Sequence, residues 1–109
     1  MFLKEIKMEI CIFCKILNKE IPSKFVYEDE FCFAINDINP KAKKHILVIP
    51  KTHVASLNEV EDFELVKNLF IAIKNITKQE NITDFKTQIN TGKNAGQEVM
   101  HLHIHILAN

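Results

Sequence analysis

A run of alternating histidine and aliphatic residues near the end of the chain constrains the fold more than any other feature. Residues 101–107 read His-Leu-His-Ile-His-Ile-Leu. Strict alternation with aliphatic residues predicts a β-strand, because successive side chains of a strand point to opposite faces of the sheet. The aliphatic side chains at 102, 104 and 106 would enter the core, and the three histidines would line the other face.

The spacing of this row limits what the histidines can do together. At a rise of about 3.3 Å per residue, neighbouring histidines lie roughly 7 Å apart and the outer pair roughly 13 Å apart. Two neighbours can therefore act on one phosphate group or one metal ion, whereas all three cannot bind one metal without breaking the strand. A terminal tag or a surface strand with incidental histidines is the alternative, but a tag would lack the interleaved aliphatic residues.

The composition limits the class of partner. The chain has 109 residues, enough for a single small domain, and its 14 basic and 14 acidic residues cancel. Binding to a nucleic acid polymer depends on a concentrated basic surface, which a balanced chain is not expected to carry. A small charged ligand needs no net charge and is compatible with this composition.

The sequence also predicts where the protein works. No stretch is long and apolar enough to cross a bilayer, and the charged residues of positions 1–10 leave no apolar run for a signal peptide. Three cysteines without a secretion signal favour a reducing compartment. We therefore expect a cytoplasmic protein with no membrane partner, in which residues 1–10 are a leader and residues 11–109 form the single domain.

The order of apolar segments predicts an α+β fold with an antiparallel sheet. A short helix is expected after Cys14 through Leu17, and a nearly continuous apolar run predicts that the strand at 45–49 is central in the sheet. The other strands are expected at 24–27, 31–36, 86–90 and the histidine row.

One long amphipathic helix is predicted between these strands. Asn58, with Glu61 three residues later, resembles a capping box and would start the helix, which would run to about Lys78. The apolar residues that recur at helical spacing, and would cover one face of the sheet, are Phe63, Val66, Phe70 and Ile73.

The segment 90–97 is a candidate anion-binding loop. It contains both glycines of the chain, Gly92 and Gly96, and leads into the histidine row. Its backbone N–H groups, amide side chains and lysine suit an anion that lies against the histidines. A glycine-containing loop alone is often only a hairpin, so this interpretation depends on the neighbouring histidines.

The pair Cys11 and Cys14 is compatible with a redox dithiol or with half of a zinc site. No second Cys-x-x-Cys is present, so a zinc ion would need histidines. His53 and His101 lie beyond those that phosphate chemistry would use, which makes a structural Cys₂His₂ site available. Two unligated thiols are the alternative.

At this point the sequence resembles the histidine triad family of nucleotide hydrolases and transferases. The 101–107 run matches the signature of that family, three histidines alternating with hydrophobic residues. The resemblance covers most of the chain from Cys11 onward, and it is closest to the small branch that acts on adenosine phosphoramidates. The other matching segments are 12–16, 20–22, 27–29, 37–38, 45–51 and 96–97.

The resemblance implies a five-stranded antiparallel sheet with one long and one short helix, continued across a homodimer. It also implies that His103 is the nucleophile, which attacks the α-phosphorus of a nucleotide and forms a nucleotidyl-histidine that water hydrolyses. His105 and His45 would flank the phosphate. In members with Cys-x-x-Cys, the histidines that correspond to His101 and His53 are zinc ligands.

The resemblance further implies the substrate contacts. Asp37 would accept the ribose hydroxyls, and Ile38 would help to enclose the base. The residues that would surround the phosphate and the leaving group are Asn90, Gly96, Gln97 and Glu98. A carboxylate at Glu98 would repel a phosphate, so a small amine is the more natural leaving group.

The resulting hypothesis is a hydrolase that releases nucleoside monophosphates, with AMP preferred, from small leaving groups such as those of phosphoramidates. Its substrate is a purine nucleotide, and zinc is a structural cofactor that the chemistry does not require. A dinucleoside polyphosphate hydrolase with the same nucleophile is one alternative. A nucleotide-binding scaffold with incidental hydrolysis is another, and a metal-dependent hydrolase is the least favoured.

Overall fold

The computed structural model describes residues 10–109, so positions 1–9 of the predicted leader lie outside the described residues. The described chain folds into one antiparallel sheet with a helix against each face. The helices are α1 (Ile12–Leu17) and α2 (Glu64–Gln79). The strands are β1 (Phe25–Glu28), β2 (Cys32–Asn36), β3 (Lys44–Pro50), β4 (Lys86–Gln88) and β5 (Ile104–Ala108).

The strand order in the sheet is β1-β2-β3-β5-β4, and every neighbouring pair is antiparallel. This confirms the predicted α+β class and the central position of β3. The register of β3 against β5 pairs Leu47 with His105 and His45 with Leu107. His45 and His105 are therefore diagonal neighbours across the two central strands, which brings their rings together.

Both faces of the sheet are buried. On one face α2 packs against alternate side chains of the strands; this core comprises Cys32, Ala34, Ile46, Val48, Leu69, Ala72, Ile73, Ile76, Leu102, Ile104 and Ile106. On the other face α1 covers a second core of Cys11, Phe13, Cys14, Ile16, Phe33, Ile35, Leu47 and Ile49. The candidate site lies on this second face. Among the described residues, no helix has the length and apolarity to span a bilayer.

The predicted start of α2 is wrong. Asn58 lies in a separate 3₁₀ turn, Leu57–Glu59, and the helix begins six residues later. Asp62 accepts hydrogen bonds from two backbone N–H groups of the first turn. Its carboxylate accepts from the Glu64 amide at 3.0 Å, and its carbonyl accepts from the Leu65 amide at 3.1 Å. The N-cap position itself is Phe63, which makes no side-chain cap hydrogen bond, so acceptors of the preceding residue serve the first turn.

The predicted packing face of α2 is also partly wrong. Ile73 is buried as expected, but Phe63 and Phe70 are 66% and 42% exposed. The buried stripe is instead Leu69, Ala72, Ile73 and Ile76. Apolar residues surround much of this helix, so its periodicity alone does not select the stripe that meets the small side chains of the sheet.

The histidine row keeps its predicted alternation but not its predicted strand boundary. The aliphatic side chains of the row are buried in the core, as expected. Strand β5 begins only at Ile104, so His101 and His103 precede it. They are held alongside the segment after β3, where the Leu102 amide donates to the Val54 carbonyl at 2.7 Å.

Candidate active site

A cavity of about 830 Å³ opens on the sheet face that carries the histidines. It brings together residues that are far apart in the sequence, such as Asp37 and His105. Of the residues singled out from the sequence, those that line it are Asp37, Ile38, His45, Asn90, Gly96, Glu98, His103 and His105. The predicted phosphate, sugar and base contacts therefore share one opening, with the exception of Gln97.

His103 is oriented by the backbone of the residue two positions before it. Its Nδ1 lies 2.7 Å from the His101 carbonyl oxygen, which can only accept, so Nδ1 carries the proton. The lone pair of the neutral ring is then on Nε2. Burial lowers the pKa of His103, and the hydrogen bond to the carbonyl and the charge of Asp37 oppose this in part. The Phe13 ring packs edge-on against the imidazole, with centroids 5.1 Å apart.

A chain of short contacts links His45, His105 and Asp37. His45 Nε2 lies 2.8 Å from His105 Nδ1 and 3.4 Å from Asp37 Oδ2. On the other side of the ring, the Lys41 amide donates to His45 Nδ1 at 3.0 Å. Burial, with smaller contributions from the neighbouring histidines, lowers the pKa of His105 to about 4. His105 is thus neutral at physiological pH, with its ring centroid 5.0 Å from that of His103.

Asp37 and Ile38 lie in the turn between β2 and β3. The Asn39 amide donates to Asp37 Oδ1 at 2.8 Å, and the Asp37 amide donates to the His45 carbonyl at 2.9 Å. These bonds fix the carboxylate beside the histidines and leave lone pairs for a ligand. The Ile38 side chain is 91% exposed at the cavity, where it offers apolar surface to a base.

The predicted anion loop ends at the cavity. Its turn depends on Gly96, at φ +90°, where a side chain would also come within 3.3 Å of Asn90 Nδ2. The side-chain amide of Asn90 donates from Nδ2 to the Ala95 carbonyl at 2.7 Å and closes the loop. Asn90 and Gly96 therefore hold the loop in shape where it reaches the cavity.

The prediction that Gln97 surrounds the phosphate is wrong. Its side chain is 3% exposed and does not line the cavity. Its amide nitrogen donates to the Ala55 and Val99 carbonyls at 2.7 and 3.0 Å, and its oxygen accepts from the Gly92 amide at 2.8 Å. These groups use both N–H donors of the side chain and one lone pair of its oxygen, so the side chain fastens the loop to the segment after β3 and faces away from the cavity.

Beside the cavity, the structure brings together the four predicted metal ligands. The ligand atoms of Cys11, Cys14, His53 and His101 all lie within 4.8 Å of one another. His101 Nδ1 is 3.3 Å from Cys11 Sγ, 3.6 Å from Cys14 Sγ and 3.1 Å from His53 Nδ1. In a tetrahedral zinc site with bonds of about 2.0–2.3 Å, ligand atoms are separated by roughly 3.3–3.7 Å. The spacing therefore fits one zinc ion.

The hydrogen bond made by Nε2 of His101 leaves its Nδ1 able to bind a metal. Its Nε2 lies 2.8 Å from the Pro50 carbonyl, so the proton is on Nε2 and the lone pair of Nδ1 faces the thiols. Burial, together with Cys11, raises the pKa of the Cys14 thiol to about 12, and burial lowers the pKa of His101 to about 4. Desolvation thus favours the neutral forms, and a divalent cation would favour the thiolate. Cys32 is separate; its thiol faces Asp29.

Two groups at the cavity were not singled out from the sequence. Phe13 packs on the His103 ring, and the Lys41 backbone amide orients His45. The contact of Lys41 belongs to the main chain, so no residue type could have indicated it. Pro40 marks a turn there but does not say where the amide points.

Comparisons with known proteins cover the residues of both the cavity and the cluster. A family model described as "Scavenger mRNA decapping enzyme C-term binding" matches residues 10–109. The chain is 50% identical over 103 residues to Protein HitA of Neisseria gonorrhoeae, which is 92% of this chain and 96% of that protein. It is 46% identical over 105 residues to Protein hit of Bacillus subtilis, with 91% of this chain and 70% of that protein covered.

Solved structures are similar over the same length. A histidine triad protein from Clostridium difficile is 48% identical with a TM-score of 0.86, over 91% of this chain and 90% of that chain. A HIT family hydrolase from Legionella pneumophila is 40% identical with a TM-score of 0.86, over 91% and 92%. A histidine triad nucleotide-binding protein from Candida albicans is 36% identical with a TM-score of 0.79, over 88% and 72%.

Proposed function

Because the chain belongs to the histidine triad family, we propose that it hydrolyses nucleoside phosphoramidates, with AMP as the preferred nucleotide, through a covalent intermediate on His103. One observation carries the proposal. The bond from His103 Nδ1 to the His101 carbonyl leaves an Nε2 lone pair on a ring that lines a cavity large enough for a nucleotide. A lowered pKa keeps that lone pair unprotonated at neutral pH.

The reaction has two displacement steps at the α-phosphorus. In the first, His103 Nε2 forms a bond to phosphorus, the bond from phosphorus to the leaving nitrogen breaks, and that nitrogen takes up a proton. In the second, a water oxygen attacks phosphorus, the bond to His103 breaks, and the water gives up a proton. The sum is one phosphoramidate plus one water giving one amine plus AMP, with His103 returned to its starting form.

His105 and His45 stabilise the phosphate in this scheme. Charge develops on the non-bridging oxygens as each nucleophile approaches, and a fixed donor beside them lowers the barrier. The hydrogen-bonded pair His45 and His105 is such a group, since both rings line the cavity and are 2.8 Å apart at their nearest nitrogens. Gly96 and Asn90 support the phosphate side of the cavity from the loop.

The nucleoside is assigned to the turn between β2 and β3, which borders the histidines. The Asp37 carboxylate accepts the ribose hydroxyls, and Ile38 packs on the base. A family neighbour described as a nucleotide-binding protein, and another described as a hydrolase, support the assignment of a nucleotide substrate. A purine offers the larger apolar face to Ile38, which favours a purine nucleotide such as AMP over a pyrimidine nucleotide.

Glu98 favours an amine as the leaving group. Its exposed carboxylate lines the cavity, where it would repel a second phosphate and attract a cationic or protonatable amine. This favours a phosphoramidate over a dinucleoside polyphosphate.

Zinc has a structural role in the proposal. Cys11, Cys14, His53 and His101 would hold the ion, which ties the start of α1 to the segments that follow β3 and precede β5. Zinc supplies a crosslink between distant parts of the chain and takes no part in the steps above.

A homodimer is also proposed. Strand β4 lies at the edge of the sheet and all three of its residues are exposed. Exposed edge strands favour pairing with another chain, and a second copy would continue the sheet. Sedimentation equilibrium should then give a mass of about twice the 12.6 kDa of one chain.

Trapping the intermediate tests the proposed function. Wild-type and His105→Ala proteins are mixed with an adenosine phosphoramidate, quenched in base because a phosphorus–nitrogen bond to histidine is acid-labile, and measured as intact masses. We expect an added adenylyl group that maps to the peptide containing His103. His103→Ala is the control and should show neither adduct nor turnover. Turnover by His103→Ala, or an adduct on another residue, would remove the proposed nucleophile; tight binding without any turnover would favour a binding protein.

A further inference from the structure

Two groups of side chains in the described part of the chain have ligand atoms close enough to hold a metal ion. One is the cysteine–histidine cluster, and the other is Asp37, His45 and His105 in the cavity. In the second group, His45 Nε2 lies 2.8 Å from His105 Nδ1 and 3.4 Å from Asp37 Oδ2. In each group the ligand atoms lie within 4.8 Å of one another, so this limit alone does not distinguish the two groups.

The second nitrogen of each ring does distinguish them. A neutral histidine that binds a metal through one nitrogen keeps its proton on the other, and that N–H normally donates to an acceptor. His101 meets this condition, because its Nε2 lies 2.8 Å from the Pro50 carbonyl and its Nδ1 is free for the ion. His45 does not. Its Nδ1 faces the Lys41 amide at 3.0 Å, and an N–H donor requires a lone pair on that nitrogen.

The proton of His45 is therefore on Nε2, the atom that a metal would need. We propose that the backbone N–H of Lys41 fixes this tautomer of His45, and thereby keeps Asp37, His45 and His105 as a hydrogen-bond chain that excludes transition metals from the cavity. Lys41 is a positioning residue in this respect, since its amide touches His45 and not the reacting atoms.

The same contact sets the direction of the chain of hydrogen bonds. His45 Nε2–H donates to His105 Nδ1, so the proton of His105 is on its Nε2, on the opposite side of the ring. Where the proposed function holds, on which this consequence rests, that N–H is the donor to the substrate phosphate. A metal-free donor chain suits a site in which the nucleophile is itself an imidazole, because a transition metal would compete for the lone pair of His103.

The turn that presents the Lys41 amide is held by local bonds. The Asn39 amide donates to Asp37 Oδ1 at 2.8 Å, and the Lys41 ammonium group donates to the Asn39 carbonyl at 2.9 Å. The contact to His45 comes from the main chain, so replacing the Lys41 side chain leaves it available, and only a proline at this position removes the N–H. Lys41→Ala and Lys41→Pro are thus a matched pair.

Nitrogen NMR tests the tautomers directly. Histidine-labelled, zinc-loaded protein without substrate is studied by long-range ¹H–¹⁵N spectra at neutral pH, with His45→Gln and His105→Gln used to assign the signals. We expect the Nε2–H form for His45 and His105 and the Nδ1–H form for His103. An Nδ1–H form of His45 would overturn the inference. Because no substrate is present, this result is independent of whether the protein forms the His103 adduct.

Metal stoichiometry provides the second test. Wild type and Lys41→Ala should each bind about one Co²⁺ per chain, whereas Lys41→Pro should bind about two, the second with weaker absorption typical of nitrogen and oxygen ligands. A second ion in wild-type protein that is lost in His45→Gln would contradict the proposal, as would a folded Lys41→Pro protein that still binds one. If Lys41→Pro does not fold, the wild-type spectrum and stoichiometry decide.

Discussion

The backbone carbonyl oxygen of His101 accepts a hydrogen bond from Nδ1 of His103 at 2.7 Å, while the side chain of His101 faces Cys11 and Cys14. One residue therefore belongs to the cysteine–histidine cluster and orients the proposed nucleophile. Whatever holds the cluster in place also holds the His101 carbonyl. The cluster can then affect activity through the position of His103 without taking part in the chemistry.

Replacement of a cluster thiol should remove zinc first and activity second. We expect Cys14→Ser to lower the zinc content from about one ion per chain toward zero and to lower the melting temperature, because the crosslink between α1 and the sheet is lost. Turnover should fall as well, because loss of the cluster both reduces the amount of folded protein and loosens the His101 carbonyl that orients His103. Zinc content is measured by inductively coupled plasma mass spectrometry, and the melting temperature is measured by calorimetry.

Cys32→Ser is the matched control for this prediction. Cys32 is fully buried but lies outside the cluster, with its thiol 3.4 Å from Asp29. The zinc content of the Cys32→Ser protein should equal that of wild type, whatever the change in melting temperature. A Cys14→Ser protein that lacks zinc but melts like wild type would refute the structural role of the metal.

The pKa shifts predict how activity depends on pH. Burial lowers the pKa of His103 below 6.5 and that of His105 to about 4. A lowered pKa means that the unprotonated, nucleophilic form persists to lower pH. On the acidic side, the midpoint of the fall in kcat/KM should therefore lie below the ordinary histidine value of 6.5, for a substrate whose phosphate keeps one charge throughout.

This is measured as a profile of kcat/KM from about pH 8 down to about pH 4, with circular dichroism at each point to separate unfolding from titration. A midpoint at or above the ordinary histidine value of 6.5 would show that His103 is not desolvated as the structure indicates. His105→Asn keeps the nucleophile and provides a comparison in which the second histidine no longer titrates.

Much of the site could be predicted because its signals are local. The alternation of the histidine row indicates which side chains share a face, and the apolar run of 45–49 places His45 on a central strand. Neither signal shows that the two strands are neighbours, and only the family resemblance implied that His45 and His105 flank one phosphate. The structure pairs β3 with β5, and the strand boundary at Ile104 does not follow from alternation.

The errors have a common physical origin in competition between equivalent local patterns. Asn58 is of a residue type that often caps helices, but it lies in a 3₁₀ turn, and the helix begins at Glu64, whose amide donates to Asp62. Phe70 and Leu69 lie on adjacent stripes of α2, and the small side chains of Cys32 and Ala34 decide which stripe is buried. The inward turn of Gln97 likewise depends on the Ala55 carbonyl, 42 residues earlier in the chain.

Gln97 is predicted to act on stability. Gln97→Ala would leave the Ala55 and Val99 carbonyls and the Gly92 amide without their partner in a partly buried place. We expect the free energy of unfolding to fall by about 1–3 kcal/mol, measured by urea titration. The neighbouring Glu98 is exposed, so Glu98→Ala should change it by less than about 0.5 kcal/mol. Equal effects of the two substitutions would contradict the structural role of Gln97.

Asp37 is predicted to select for a ribose. Asn39 occupies only Oδ1, and Oδ2 lies 3.4 Å from His45, so the carboxylate keeps lone pairs that can accept two hydroxyl groups. A hydrogen bond to a charged group contributes about 1.5–3 kcal/mol, or roughly 10–100-fold in affinity. Asp37→Asn retains an oxygen for the Asn39 amide, so the turn keeps its shape while the charge is removed.

The comparison of two substrates separates this role from an effect on the histidines. Wild type should prefer an adenosine phosphoramidate over its 2′,3′-dideoxy analogue by roughly 10–100-fold in kcat/KM, and Asp37→Asn should reduce that preference to about threefold or less. The dideoxy substrate itself should be turned over at similar rates by both proteins. If Asp37→Asn loses activity equally on both substrates, the carboxylate acts through the 3.4 Å contact to His45 and the charge it places near His103, and the ribose is bound elsewhere.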